Sequence, residues 1–243
     1  MAQSYFIWNG ADCRSKGIIQ RGPAPIVRAE ERIQHVTIPG VSGDLTETEG
    51  ENIYNSYIQT VSISVRGAIN VRNVYKWLRG SGYVTFSGEP DKRQKARIIG
   101  AITLDRVSRN IDHWAGEVQF YCQPLKELLH EGKVTITSSG ATVRNNGDVI
   151  SKPVWKVTIS SDMTSITLTA GGKTLSVTGL TGGSVIWIDS ETMVVWNSDG
   201  TIPITAQSAG DFPELAEGNN TVTFTNCASI EIEKRERYRD LCL

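Results

Sequence analysis

The sequence predicts an all-β protein with one short helix. Apolar and polar residues alternate with a period of two along most of the chain, as in residues 60–65 (TVSISV), which buries one face of a strand. Glycine, asparagine and serine separate these runs, for example at Gly171-Gly172, at spacings typical of a sandwich or barrel. Only residues 71–79 show helical spacing of apolar side chains, with Asn70 and Gly80 placed to cap the helix.

The length of 243 residues and a hydrophobic content of 39% are sufficient for two domains of ordinary size. Pro124 is expected to end a strand, residues 125–133 to form a short helical turn, and the following glycine- and asparagine-rich stretch to act as a linker. We therefore expect an N-terminal β domain over residues 1–137, which carries the helix, and a C-terminal β-sandwich over residues 138–243.

Residues 28–52 predict a long hairpin arm with few side chains to bury. Pro39-Gly40 and Ser42-Gly43 form its turn-rich corner, and the return limb alternates hydroxyl and carboxylate groups. An isolated two-stranded hairpin is marginally stable in water. The arm is therefore expected to pack against another surface, either in its own domain or on a neighbouring copy of the chain. Its large apolar side chains are Ile33, Val36, Ile38, Val41 and Leu45.

Charge and cysteine content limit which classes of partner and which cellular compartment are expected. The chain has 25 Lys and Arg against 26 Asp and Glu, so the net charge of −1 gives no electrostatic reason to expect binding of nucleic acid or acidic lipid. No apolar run approaches the ~20 residues that span a bilayer, and the first ten residues do not resemble a signal peptide. These features predict a cytoplasm-like compartment without membrane insertion, in which the four scattered cysteines remain free thiols.

No group of residues has the spacing that catalysis or metal binding requires. His35, His113 and His130 are isolated from one another, without the pairing that zinc sites use. Gly40-Val41-Ser42-Gly43 lacks the second glycine of a nucleophile elbow, because Asp44 stands in its place. The sequence therefore predicts no catalytic residue, no cofactor, no metal and no enzymatic activity.

Three tryptophans in the C-terminal half, Trp155, Trp187 and Trp196, allow two interpretations. They could stack on sugars, or they could fill the core of the sandwich. Each lies within an apolar alternating run and not on a polar loop, which favours the core.

Several segments, taken in order, resemble the distal tail protein (Dit) family of long non-contractile-tailed bacteriophages, the siphophages. The resemblance covers nearly the whole chain and depends on the order and spacing of turns and strand ends. The segments are Phe6-Ile7-Trp8-Asn9-Gly10-Ala11-Asp12, Pro39-Gly40-Val41-Ser42-Gly43-Asp44-Leu45, Phe86-Ser87-Gly88-Glu89-Pro90, Phe120-Tyr121-Cys122-Gln123-Pro124, Gly147-Asp148 with Pro153-Val154-Trp155, Ile188-Asp189-Ser190-Glu191, and Gly218-Asn219-Asn220 before Thr221-Val222-Thr223-Phe224.

This resemblance implies a structural protein of the virion tail tip, synthesised and assembled in the host bacterial cytoplasm. Six copies would form a ring of β-barrel-like N-terminal domains around a channel through which DNA passes without specific binding. The C-terminal domains, galectin-like or carbohydrate-binding-module-like sandwiches, would face a receptor-binding or adhesion protein. The ring would join the tail tube protein to the tail-tip hub protein.

In such a ring the hairpin would protrude to the next subunit, and its residues are the expected subunit interface. The main alternative is a carbohydrate-binding module that recognises host cell-wall glycan through the C-terminal sandwich. The expected interface residues are Ile33, His35, Val36, Ile38, Pro39, Gly40, Ser42, Gly43 and Leu45.

Overall fold

The structure is a computed structural model that describes residues 3–50, 53–108 and 111–239. The chain divides into two compact units. The first comprises the described residues up to Leu129 together with Arg239, and the second is His130–Tyr238. Each unit contains its own buried apolar cluster.

The first unit is a curled antiparallel sheet with one α-helix and a separate two-stranded hairpin. In the sheet the strands follow the order β2-β1-β7-β8-β10-β6-β3, and β9 pairs with β10. The elements are β1 (Phe6–Trp8), β2 (Ala11–Asp12), the 3-10 helix η1 (Cys13–Lys16), β3 (Ile18–Gln20), β4 (Ile33–Thr37), β5 (Asp44–Thr48), β6 (Tyr57–Arg66), α1 (Ala68–Trp77), β7 (Ser81–Phe86), β8 (Lys92–Ile99), β9 (Leu104–Arg106) and β10 (His113–Leu128).

The core of the first unit follows from the period-two alternation of its strands. In β6, Val61, Ile63 and Val65 point inward, whereas Ser62 between them is exposed. Phe120 of β10 lies at the centre, with its ring centroid 5.5 Å from that of Phe6. The ring centroids of Trp8 and Phe86 lie 5.6 and 5.8 Å from it. These edge-on and tilted ring contacts add to the stabilisation from buried apolar area.

Helix α1 begins three residues before the predicted start at residue 71. Its N-terminal cap position is Gly67, at φ +88°, and the first free amide, that of Ala68, donates to Asp112 Oδ2 at 2.8 Å. Asn70, which the sequence placed as the cap, lies inside the helix and donates from its side chain to the Arg66 carbonyl at 2.7 Å. Val74 is fully buried, so the predicted apolar face does pack on the core.

Strand β10 corrects the expectation of a helical turn after Pro124. The strand runs on to Leu128, and its register with β8 shifts between Cys122 and Lys126. Proline has no N–H to donate to a ladder, and a bulge accommodates it without ending the strand.

The second unit is a sandwich of two five-stranded antiparallel sheets. One sheet has the order β11-β20-β13-β16-β17, and the other has β12-β19-β14-β15-β18. The elements are β11 (Val134–Ile136), β12 (Ala141–Asn145), β13 (Val154–Ile159), β14 (Ser165–Ala170), β15 (Lys173–Thr178), β16 (Val185–Asp189), β17 (Val194–Trp196), the 3-10 helix η2 (Thr205–Gln207), β18 (Ser208–Gly210), β19 (Gly218–Thr225), β20 (Cys227–Glu233) and β21 (Arg237–Tyr238).

Inward-facing residues of both sheets form one apolar cluster, which includes Trp155 of β13 and Leu168 of β14. The Trp155 indole N–H donates to Ser190 Oγ at 3.0 Å, so this buried ring leaves no unpaired donor. Strand β11 pairs with β20, with Val134 opposite Ile232. The division into units therefore lies before β11, whereas the domain boundary expected from the sequence lies after it.

Candidate subunit interface

The predicted hairpin is present and is formed by β4 and β5. Its register pairs Ile33 with Thr48 at the base and Thr37 with Asp44 at the tip. All ten strand residues are exposed. The hairpin therefore buries none of its side chains in its own unit, as the scarcity of apolar residues indicated.

One face of the hairpin carries an apolar pair surrounded by charged groups. Val36 and Leu45 are directly opposite each other, and their exposed fractions are 44% and 47%. On the same face, towards the base, Gln34 Nε2 donates to Glu49 Oε1 at 2.9 Å, and Arg32 forms an ion pair with Glu49 at 3.6 Å. A small apolar centre with a polar rim is the usual composition of a protein-protein contact.

The other face is polar apart from Ile33, which is 37% exposed. Across this face the Thr37 hydroxyl donates to Asp44 Oδ1 at 2.8 Å, and Thr46 Oγ1 lies 3.3 Å from His35 Nδ1. These pairs fix the register of the hairpin. They also leave His35 exposed, where its ring is available to a partner.

The outer edges of both strands carry main-chain groups that the hairpin itself does not use. The Glu49 amide donates to the Arg32 carbonyl, so Ile33 and Thr48 form a non-hydrogen-bonded pair. Hydrogen-bonded and non-hydrogen-bonded pairs then alternate from Ile33 and Thr48 to the tip. The main-chain groups of Ile33, His35 and Thr37 on β4 then point outward, as do those of Asp44, Thr46 and Thr48 on β5. Such edges can pair with a strand of another chain.

The tip, residues 38–43, is exposed, and two of its glycines have left-handed backbone conformations. Gly40 has φ +85° and Gly43 has φ +92°, conformations that a side chain would strain. The Val41 amide donates to the Ile38 carbonyl at 3.2 Å, which closes a turn around Pro39. The side chains of Ile38 and Val41 are 42% and 60% exposed.

Main-chain hydrogen bonds hold the base of the hairpin in the first unit. The Asn55 amide donates to the Glu30 carbonyl at 2.8 Å, and the Arg32 amide donates to the Ile53 carbonyl at 3.0 Å. The Tyr54 hydroxyl accepts a hydrogen bond from Arg239 Nη1 at 3.1 Å. The structure thus brings all nine expected interface residues together on one exposed element with an ordered base.

The hairpin is also the acidic part of the first unit. Between residues 28 and 50 there are five carboxylates and two basic side chains, which gives a net charge of −3 with His35 neutral. The carboxylates are Glu30, Glu31, Asp44, Glu47 and Glu49.

Two of the three tryptophans of the second unit do not lie in the core. Trp155 is fully buried, but Trp187 and Trp196 are half-buried on the outer face of their sheet. They are directly opposite each other on β16 and β17, and Trp196 also forms a bridge with Pro203. The expectation of core burial was therefore wrong for these two residues. Alternation shows which residues share a face, but it does not show which face is covered.

The described cysteines are free thiols, whereas Cys242 lies outside the described residues. Cys122 is fully buried among apolar side chains, and this burial raises the pKa of its thiol to about 12. It is a small core residue, as predicted. Within the described ranges, no three potential metal-binding side chains come together, and no helix is long and apolar enough to cross a membrane.

Comparisons with known proteins identify the relatives of this chain. Residues 146–238 match the family model described as siphovirus-type tail component, C-terminal domain. The Dit protein of phage SPP1, described as a paradigm of the hub adsorption apparatus in phages that infect Gram-positive bacteria, shares the fold. Its TM-score is 0.78 at 18% sequence identity, and the match covers 95% of this chain and 98% of that chain.

A baseplate structure of phage p2, in its activated conformation with Sr, gives a TM-score of 0.47 at 7% identity. That match covers 96% of this chain and 98% of that chain, and it is too remote to establish a common fold. No curated protein matches the sequence.

Proposed function

We propose that this chain, whose C-terminal domain matches the siphovirus-type tail component family, is a structural protein that forms a hexameric ring at the distal end of a siphophage tail. The family match and the fold shared with the SPP1 Dit protein confirm the resemblance to the distal tail protein family. The ring would join the tail tube to the tip hub and the host-adhesion device, and DNA would leave through its channel.

The observation that carries this proposal is the hairpin of β4 and β5. It is ordered at its base and exposed along its length, and it presents an apolar pair and two outer edges that pair with no other described strand. Ordering such a hairpin costs conformational entropy, and its exposed side chains gain little burial in their own unit. Its stabilisation is therefore expected to come from a partner. If the hairpin of each copy packs on the next copy, the contact is head-to-tail. Such contacts close into a ring when the rotation between neighbouring copies divides a full turn.

The net charge of the chain also suits the proposed channel. With 25 basic and 26 acidic side chains, the chain has no overall positive charge that would retain DNA during its passage. The expected binding is therefore transient and not sequence-specific.

The experiment that tests this function is a measurement of the mass of the purified chain by light scattering across a range of concentrations, alone and with the tail tube and hub proteins. The expected particle has six times the mass of one chain, and negative-stain images should show a ring. A monomer under every one of these conditions would contradict the proposed assembly.

A second candidate function, recognition of cell-wall glycan by the second unit, is favoured by the outward position of Trp187 and Trp196. Lys156 is directly opposite Trp187 on β13, and its Nζ lies 5.2 Å from the centroid of that ring. Lys156 and Lys133 both form ion pairs with Glu231, which offsets one of their two positive charges. Half-buried aromatic rings on an outer sheet face, beside hydrogen-bonding side chains, suit stacking on a sugar.

The test of glycan recognition compares the full chain with a variant that combines Trp187→Ala and Trp196→Ala on an array of neutral oligosaccharides. Binding should fall at least about tenfold in the double variant, because stacking on the two rings supplies most of the contact. The matched control is Tyr121→Ala, which removes an aromatic ring 40% exposed on the first unit and should leave binding unchanged. An array on which the unaltered chain binds no sugar would exclude this function.

A further inference from the structure

We propose that the surface which receives the hairpin is the basic face formed by α1 and η1 on a second copy of this chain. This inference rests on the proposed ring and adds the location of the receiving surface. It derives from the separation of charge within the first unit, in which one exposed element is acidic and another is basic.

The receiving surface carries four basic side chains without a carboxylate among them. Lys16 lies on η1, Arg72 and Lys76 lie one turn apart on α1, and Arg79 follows the helix. All four are exposed, and none forms an ion pair with any residue in the described part of the chain. Their positive charge is therefore available to a partner.

The same surface offers apolar contacts and a groove. Ile69 and Tyr75, which flank Arg72 on the exposed side of α1, are 75% and 44% exposed. The two helices approach closely, because a Cβ at Gly17 would lie 3.0 Å from Asn70 Nδ2. Between them lies an open groove lined by Ser15, Lys16, Asn70, Asn73, Lys76 and Trp77.

The hairpin matches this surface in both charge and apolar character. Asp44 and Glu47 on β5 form no ion pair with any of the described residues. Glu47 lies on the same face of the hairpin as Leu45, which together with Val36 forms the exposed apolar pair, whereas Asp44 lies on the opposite face. The Glu47 carboxylate can thus meet Arg72 or Lys76 while the apolar pair meets Ile69 and Tyr75. Complementary charge of this kind steers association and fixes the register of the contact.

The charge separation also selects the symmetry of assembly. In a two-fold dimer built on either surface alone, acidic hairpins would face each other or basic helices would face each other. A head-to-tail contact places the acidic element of one copy on the basic element of the next. Within one chain the hairpin does not cover α1, because all ten of its strand residues are exposed.

A first experiment uses zero-length cross-linking with a water-soluble carbodiimide, which joins carboxylates to amines in direct contact. A mixture of isotopically light and heavy full-length chains distinguishes links between copies from links within a copy. Links between copies should join Glu47 to Lys16 or Lys76. Links from the hairpin to Lys95 on β8, links only within one chain, or an absence of hairpin links would overturn the proposal.

A second experiment reverses the charges and follows assembly by light scattering. The hairpin variant is Glu47→Lys, and the helix variant combines Arg72→Glu with Lys76→Glu. Each variant alone should associate roughly a hundredfold more weakly, because like charges then face each other. A mixture of the two variants should assemble again as an alternating ring, since every contact in it is complementary. Failure of the mixture to assemble would overturn the proposal.

The matched control combines Lys95→Glu and Arg97→Glu on β8, which reverses two other exposed basic side chains of the first unit and should not affect assembly. If this control loses assembly while the helix variant retains it, the receiving surface is on β8 and the inference fails. A wild-type chain that forms rings insensitive to both reversals would preserve the proposed function and refute only the location of its receiving surface.

Discussion

Glu236 couples the stability of the second unit to pH. It is almost completely buried and forms an ion pair with Lys234, which is also buried. Its carboxylate accepts hydrogen bonds from the Asn146 amide at 3.0 Å and the Tyr238 hydroxyl at 2.8 Å. Burial alone would raise the pKa of this carboxyl, but the hydrogen bonds from Lys234, Asn146 and Tyr238 outweigh it, so the pKa lies below 4.5.

Replacement Glu236→Gln should destabilise the second unit at pH 7 by about 3–5 kcal/mol, since it removes the carboxylate that is paired with buried Lys234. A carboxyl whose pKa is lowered in the folded state contributes stability that is present above the unfolded value of 4.5 and is lost as the pH falls through the folded pKa. The difference between variant and wild type should therefore shrink below pH 4.5. Urea unfolding at pH 7, 5 and 3 measures it.

The control for this experiment is Glu217→Gln, which changes an exposed carboxylate of the same unit. Its unfolding free energy should follow that of the wild type at all three pH values. A Glu236→Gln variant with wild-type stability at pH 7 would show that the buried ion pair does not contribute to stability.

Among the elements, the hairpin shows what the sequence predicts well and helix α1 shows what it does not. The alternation in β4 and β5 and the glycines of the tip define the hairpin locally. The start of α1 depends on Asp112, which is distant in sequence from Ala68, so no local pattern could reveal it. Likewise, alternation placed Trp187 and Trp196 on strands, but the covered face is determined by the opposing sheet.

Replacement Asp112→Ala should weaken the first turn of α1. Asp112 accepts hydrogen bonds from the Ala68 amide at 2.8 Å and the Trp114 indole N–H at 2.9 Å, and these two bonds lower the pKa of its carboxyl. Without the carboxylate the helix N-terminus lacks both an acceptor and a favourable negative charge. Hydrogen exchange at the amides of residues 68–71 should become faster, with the later turns little affected.

Asp105→Ala, at an exposed position on β9, is the matched control and should leave the exchange of α1 unchanged. Asp112→Asn keeps one side-chain oxygen and should show an intermediate effect. Equal exchange rates in Asp112→Ala and wild type would mean that the cap contributes nothing to the helix.

At the scale of the whole molecule, folding and assembly depend on different residues. The two apolar clusters contain no residue of β4 or β5, whereas every residue of the expected subunit interface lies on these strands or their connecting turn. The hairpin can therefore change without loss of either core. This separation makes the proposed assembly testable by removal of one element.

Deletion of residues 31–51, with two glycines in their place, should abolish assembly while both units remain folded. The Asn55 amide donates to the Glu30 carbonyl at 2.8 Å, so the chain before and after the hairpin comes close together at these two residues, and a short link can close the gap. The apolar clusters are untouched, and the thermal unfolding midpoint should change by no more than ~4 °C, equivalent to about 1 kcal/mol. Light scattering measures the particle mass and calorimetry measures the unfolding midpoint on the same sample. A deletion variant that still forms rings would show that the hairpin is dispensable for assembly.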